Sequence, residues 1–269
     1  MAFQPIEHRS VPEDVFDQIV EGVVSGELRA GENLPSEREL ARVLGVSRPA
    51  VREAMKRVAA AGLVTIRQGG GTTVRDLRRF GGLDLLPKLL IRGGELDVAV
   101  ARSVVEARAH IGPKVAELAA LRATEDQIAV AREAAAHLAE LSDPIGQQVA
   151  ALDFWDAIVD GADSIAFRLM YNTMRTAYEP ALPALASALS GEVGNADGYR
   201  RIVDSIARRD PSAAARAAAV LLEPATTALL SAFGEMEELL QQALSETAEE
   251  FLSESEEESL PKTEDDDDH

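Results

Sequence analysis

Leu34-Pro35-Ser36-Glu37-Arg38-Glu39-Leu40, continued by Gly45-Val46-Ser47-Arg48-Pro49-Ala50-Val51-Arg52-Glu53-Ala54, is the stretch whose reading decides the fold. Ser36 stands where a helix N-cap belongs and Glu39 follows three residues later, the spacing of a capping box. Ala41, Val43 and Leu44 give this short helix an apolar side, and Gly45 ends it. Ser47 offers a second N-cap, with Pro49 tolerated in the first helical turn. Val51, Met55, Val58 and Ala59 then recur at helical spacing, while Arg48, Arg52 and Lys56 share another face. Two short helices joined at a glycine, the second basic on its open side, read as a helix-turn-helix.

The residues that follow extend the pattern. Gly62-Leu63-Val64-Thr65-Ile66-Arg67 is a short strand pattern, Gln68-Gly69-Gly70-Gly71 a tight turn, and Thr72-Thr73-Val74-Arg75 the returning strand. A hairpin directly after the second helix makes a winged helix. Each piece alone also occurs in enzymes; the order and spacing favour DNA binding. Upstream, Val11-Pro12-Glu13-Asp14-Val15 opens a first helix, with Val15, Ile19, Val23 and Val24 as its apolar side.

In Leu34 to Ala41, Gly45 to Ala54 and Gly62-Leu63-Val64 the chain resembles a GntR-family transcription regulator. The resemblance implies that Arg38, and Ser47, Arg48, Ala50 and Arg52 of the next helix, meet double-stranded DNA, with Gln68 and Gly69 at the wing tip in the minor groove. The residue chemistry agrees. Arginine binds guanine O6 and N7 bidentately, serine bonds phosphate, and glycine admits a close backbone.

The 269 residues carry a net charge of −19, which at first sight opposes a nucleic-acid partner. The charge is unevenly spread. Residues 1–79 hold 12 basic and 11 acidic side chains, whereas from Phe233 onward there are 15 acidic residues and one lysine. The local stripe of Arg38, Arg48, Arg52, Lys56 and Arg67 therefore matters more than the total. The absence of cysteine excludes disulfides and thiolate chemistry. With no apolar run near the roughly 20 residues that span a bilayer and no signal-peptide pattern, the expectation is a soluble, cytoplasmic protein.

Gly81-Gly82 marks a boundary. From Leu83 to about Phe233 the chain is Ala- and Leu-rich, and breaks at Gly93-Gly94, Ser142-Asp143-Pro144, Gly161, Pro180, Pro183, Gly191 to Gly198 and Asp210-Pro211 predict about six or seven helices. The fold class is thus mainly α: a winged helix-turn-helix over 1–79, an all-α bundle over 80–240, and an acidic tail over 241–269 that reads as disordered. A cation-binding or DNA-mimicking role for that tail is the alternative reading.

Val104-Val105-Glu106-Ala107-Arg108, Phe154-Trp155 through Asn172-Thr173-Met174 to Tyr178, and Tyr199 to Ile206 resemble the effector domain of the FadR subfamily. Many members hold a divalent metal there on three histidines and an aspartate. This chain departs from that pattern. Trp155, Tyr199 and the region of Leu221 stand at the histidine positions and Ala151 at the aspartate's, while His8, His110, His137 and His269 match none of them. Indole, phenol and leucine cannot replace imidazole nitrogens, so no metal is expected.

The metal-free branch of the subfamily binds long-chain fatty acyl-CoA. By that resemblance Arg108, Trp155, Asn172, Tyr178 and Tyr199 would line an effector site, with Phe154, Phe167, Leu169, Met170 and Met174 offering apolar wall. Aromatics and methionines at helical spacing also build plain core, so another apolar or carboxylate ligand, or none, stays open. Asp153, Asp156 and Asp160 share a helix face that could in principle serve an enzyme, but no histidine, cysteine or phosphate loop accompanies them. The expectation is a homodimeric regulator of an inverted-repeat operator with a small-molecule effector. A DNA-binding dimer whose helical domain only dimerises is the rival: a packed core would favour it, and a pocket floored by Arg108 and walled by Trp155 and Tyr178 would oppose it.

Overall fold

The computed structural model describes residues 10–67, 71–92 and 94–258. Gln68 and Gly69 of the expected wing tip lie outside the described residues, as do 259–269 of the acidic tail.

Helix α1 (Val11–Ser25) begins with Pro12 and two acids in its first turn, where an open helix N-terminus favours both, and stops at Gly26 with φ 82°. Helices α2 (Glu37–Leu44) and α3 (Arg48–Ala60) form the helix-turn-helix. Ser36 Oγ accepts from the Glu39 N–H at 3.3 Å, and Ser47 Oγ from the Ala50 N–H at 3.4 Å, as caps should. Only half of the expected capping box forms, because the Glu39 carboxylate turns forward to Arg42 at 2.6 Å. Gly45 supplies the left-handed turn between the helices, with φ 66°.

Strands β2 (Val64–Ile66) and β3 (Thr72–Val74) make the wing, and the unanticipated β1 (Asn33–Leu34) adds to the free edge of β3 in the order β1-β3-β2. Thr73 Oγ1 donates to the Asn33 side-chain carbonyl at 2.9 Å across that pairing, and Leu34 is buried. Phe16, Ile19, Val51, Met55, Val58, Leu63 and Val74 build the core beneath. This packing unit outruns the limit expected at 79: α4 (Leu77–Phe80) and the following 3-10 turn carry Leu85 into the same core. Gly62, at φ 79°, has to be glycine, since a Cβ there would stand 2.1 Å from the Phe80 carbonyl oxygen.

A connector of α5 (Leu86–Leu90) and a small antiparallel pair, β4 (Ile91–Arg92) with β5 (Glu95–Leu96), leads into the bundle. There α6 (Val98–Arg122), α7 (Glu125–Glu140), α8 (Pro144–Gly161), α9 (Ile165–Tyr178), α10 (Leu182–Val193), α11 (Ala196–Ala207) and α12 (Pro211–Glu258) enclose two buried clusters. The missed break falls at Ala123-Thr124, where a full capping box between Thr124 and Gln127 starts α7. Pro113 and Pro224 lie inside helices. Each removes one backbone donor that the surrounding packing tolerates.

Helices α6 and α12 pack along one another, and both bury small residues: Ala116, Ala119 and Ala120 on the first, Ala214 and Ala218 on the second. Residues 211–239 of α12 are long and apolar enough to cross a membrane by length and composition, contrary to the sequence expectation. Ala214, Ala218, Leu221, Leu222, Ala225, Leu229 and Phe233 recur at helical spacing and are spent on the bundle core. Nor does the boundary at 240 coincide with a break: α12 continues through it to Glu258.

Candidate functional site

The first site is the open face of the helix-turn-helix. Arg48, Arg52 and Lys56 project from α3 one turn apart, all exposed, with Arg38 on α2 and Arg67 at the end of β2 beside them. Among the described residues, Arg38, Arg48, Arg52 and Arg67 have no ion-pair partner, and Lys56 has only a loose one in Glu53 at 3.6 Å. Their charge is therefore uncommitted and available to phosphate and base edges. Ser47 is exposed at the N-terminus of α3, where its hydroxyl caps the helix and can still donate. Ala50 departs from the sequence reading. It is buried, its Cβ directed inward by the helical phase that exposes Arg48 and Arg52, and so it is not presented at the surface.

The second site is a cavity of about 110 Å³ inside the helical bundle. Its walls come from α6 (Val104, Ile111, Val115), α8 (Ala151, Trp155, Val159), α9 (Phe167, Met170, Met174), α10 (Leu189, Val193) and Leu222 of α12. The polar side chains among them are Arg108, Gln148, Tyr171, Arg175, Tyr178 and Glu192. Of the residues expected to meet an effector, Arg108, Trp155 and Tyr178 line this cavity. Tyr199 stands one layer behind, fully buried and edge-on to Phe154 at 4.8 Å between ring centroids. Asn172 is exposed on α9 and is not among the residues that line this cavity. Phe167, Met170 and Met174 supply wall as expected, whereas Phe154 is core and Leu169 faces outward.

Arg108 does not wait for a ligand with an open charge. Its Nη2 donates to Glu192 Oε1 in an ion pair whose carboxylate is buried and whose arginine side chain is 27% exposed. Burial opposes the guanidinium charge, but the Glu192 carboxylate overrides it and holds the Arg108 pKa above its ordinary value. Burial likewise pushes the Glu192 carboxyl up, against the pull of Arg108. Tyr178 donates to Gln148 Oε1 at 3.1 Å, and burial raises its phenol pKa. Glu192 and Gln148 were missed in the sequence. The signal existed: Leu182, Leu185, Leu189 and Val193 mark the apolar stripe of α10, and Glu192 falls on it.

The carboxylates that could have suggested an enzyme are structural. Arg168 on α9 binds Asp156 at 2.7 Å and Asp160 at 2.5 Å, and Arg175 binds Asp153 at 2.8 Å, so together they pin α9 to α8. His110 and His137 are exposed, and among the described residues no three His, Asp or Glu side chains gather as metal ligands. Trp155 and Tyr199 occupy the positions where the resemblance would place imidazoles, and neither offers a neutral nitrogen lone pair.

The two sites are joined by a short series of contacts. Helix α9, a wall of the cavity, packs on α5. Lys88 of α5 binds Glu13 at 3.0 Å and Asp17 at 2.5 Å on α1, and Glu13 binds Arg57 of α3 at 2.5 Å. Arg92 adds a second tie, reaching Glu21 at 3.0 Å and Asp97 at 3.3 Å.

Comparison with known proteins agrees with this anatomy. The family described as bacterial regulatory proteins, gntR family, matches residues 12–74, and the FCD domain matches residues 103–224. The HTH-type transcriptional regulator Mce2R of Mycobacterium tuberculosis is 54% identical over 231 residues, covering 86% of this chain and 96% of that protein. The fatty acid metabolism regulator protein of Vibrio cholerae is 34% identical over 95 residues, 35% of this chain and 34% of that protein. A solved structure of Lar, described as controlling expression of the Listeria monocytogenes agr system, shares the fold with a TM-score of 0.52 at 16% identity, over 83% of this chain and 98% of that one. With its helix-turn-helix and its helical domain each matched, and a close relative covered almost end to end, the chain belongs to the gntR family of bacterial regulatory proteins, in its FadR-like subfamily: a DNA-binding transcription regulator rather than an enzyme.

Proposed function

We propose that this regulator is a homodimer whose affinity for an inverted-repeat operator is set by a lipid-type effector, a long-chain fatty acyl-CoA, held in the helical domain. The observation that carries the reading is the cavity itself: a bundle serving dimerisation alone has no need of an apolar hollow bordered by Arg108, Trp155 and Tyr178. A relative matched over 35% of this chain is named a fatty acid metabolism regulator protein, which is compatible with a lipid-type effector. Two winged helices related by a two-fold axis match two half-sites.

The hollow is somewhat smaller than the roughly 150 Å³ cavity that takes one benzene ring. An acyl chain therefore enters by displacing wall, and the pliable side chains Met170 and Met174 sit on α9 for it to displace. Because α9 rests on α5, and Lys88 of α5 holds α1, occupancy and the placement of the DNA-binding domain are linked through one packed series. The ligand shifts the equilibrium by its differential affinity for the two placements, and by no more than that. The test is a titration of palmitoyl-CoA into the protein bound to its own upstream DNA at fixed salt, with lactate plus zinc as the comparison. A change in DNA affinity with palmitoyl-CoA alone supports the reading. A response only to the hydroxy acid with metal overturns it.

A further inference from the structure

Among the described residues, six buried side-chain polar atoms lack a hydrogen-bond partner, and five of them form one cluster. They are Arg108 Nη1, Gln148 Nε2, Trp155 Nε1, Glu192 Oε2 and Tyr199 Oη, the last two on side chains close enough to interact with each other. Arg108, Gln148, Trp155 and Glu192 line the cavity, and Gln148, Glu192 and Tyr199 are at most 2% exposed. Unpaired polar atoms in a low-dielectric interior are costly, and their concentration at one hollow implies a group that satisfies them.

The charge balance narrows what that group is. Glu192 already neutralises Arg108, and Arg175, the other arginine of the lining, is held by Asp153 and Glu179. An arriving carboxylate could reach Arg108 only through its remaining Nη1 and would stand beside the Glu192 carboxylate, a like charge. An uncharged group meets no such opposition. A hydroxyl or amide can donate to Glu192 Oε2 and accept from the Gln148 amide or the Trp155 indole N–H. Resting on the reading of this cavity as the effector site, we propose that Glu192 makes it selective for an apolar ligand with an uncharged polar head over the corresponding carboxylate anion. A thioester falls on the uncharged side of this division; a free fatty acid does not.

Trp155 provides a direct readout, because it is the single tryptophan of the chain and it lines the cavity. Octan-1-ol, octanamide and sodium octanoate are titrated into the full-length protein at neutral pH while its fluorescence is followed. The expected result is that the alcohol and the amide bind on the order of tenfold tighter than octanoate. In Glu192→Gln the preference reverses, since Arg108 is then left unbalanced. Octanoate binding to the wild type as tightly as octanol overturns the role of Glu192 while leaving the cavity as a ligand site. Failure of all three probes to change the fluorescence overturns both the selectivity and the cavity reading. The wild-type series decides the matter even where Glu192→Gln does not fold.

Discussion

At the scale of single residues, two arginines show how differently the same side chain can be used. Arg52 is exposed on α3 and has no ion-pair partner among the described residues, so its removal is expected to cost the fold little and the DNA complex more. Arg52→Ala is expected to weaken operator binding by about 1–3 kcal/mol and to relax base preference at one position, measured by anisotropy at matched salt on operator and scrambled DNA. Equal affinity on both sequences relative to wild type contradicts the assignment. Arg108 is the reverse case. Truncating it strands the Glu192 carboxylate in the interior, and the expected loss is about 3–5 kcal/mol in urea unfolding. Replacing both partners, Arg108→Met with Glu192→Leu, recovers most of that loss. Comparable stability for Arg108→Ala and wild type would mean that the pair is solvated after all. The exposure of Arg38, Arg48 and Arg52 on the helix-turn-helix was legible in the sequence because a motif carried them. Ala50 came with the same motif, but the phase of α3 turns it inward. Glu192 and Gln148 belong to no motif, and in sequence each looks like any polar residue on a helix.

Elements were read best where capping chemistry is dense. Ser36, Gly45 and Ser47 delimit α2 and α3 as the spacing predicts. The Thr124–Gln127 box went unread because no glycine or proline accompanies it, and so α6 and α7 ran together. Strand β1 has two residues, too few to show a period, and exists because β3 offers it an edge. Tertiary context also decides the connector, where Lys88 and Arg57 converge on Glu13 of α1. Hydrogen bonds from Arg57 and then Lys88 hold the Glu13 carboxyl well below its usual range, from 4.5 to about 2. A folded-state pKa below the unfolded one stabilises above the unfolded value, so this contribution is present above pH 4.5 and disappears as pH falls toward 2. Glu13→Gln is expected to lower the melting temperature at pH 7 and to narrow its gap from wild type progressively below pH 4.5. A gap independent of pH contradicts the ion-pair account. Lys88→Ala cuts the tie from α5 to α1 and leaves the DNA-reading face intact. The expected outcome is wild-type operator affinity with a smaller change on adding effector.

For the whole molecule, net charge was a poor guide and its distribution a good one. The excess of acid lies toward the C-terminus, whereas the winged helix is nearly balanced and exposes arginines that have no ion-pair partner among the described residues. The division into a DNA-binding part and an α-helical part was legible from the change of composition near Gly81. The extent of α12 was not, because residues 211–239 alternate between core and surface at helical spacing and the acidic continuation carries few apolar marks. Ligand cavities are likewise invisible in one-dimensional patterns: Trp155, Met174 and Leu222 come from three helices and would look the same in a filled core. The proposed function requires that filling this cavity changes the grip on DNA. The most direct test follows Trp155 fluorescence and the anisotropy of labelled upstream DNA in the same solution during one palmitoyl-CoA titration. The account predicts that both signals change with a common midpoint. DNA release without a change at Trp155, or saturation at Trp155 with DNA affinity unchanged, would contradict it.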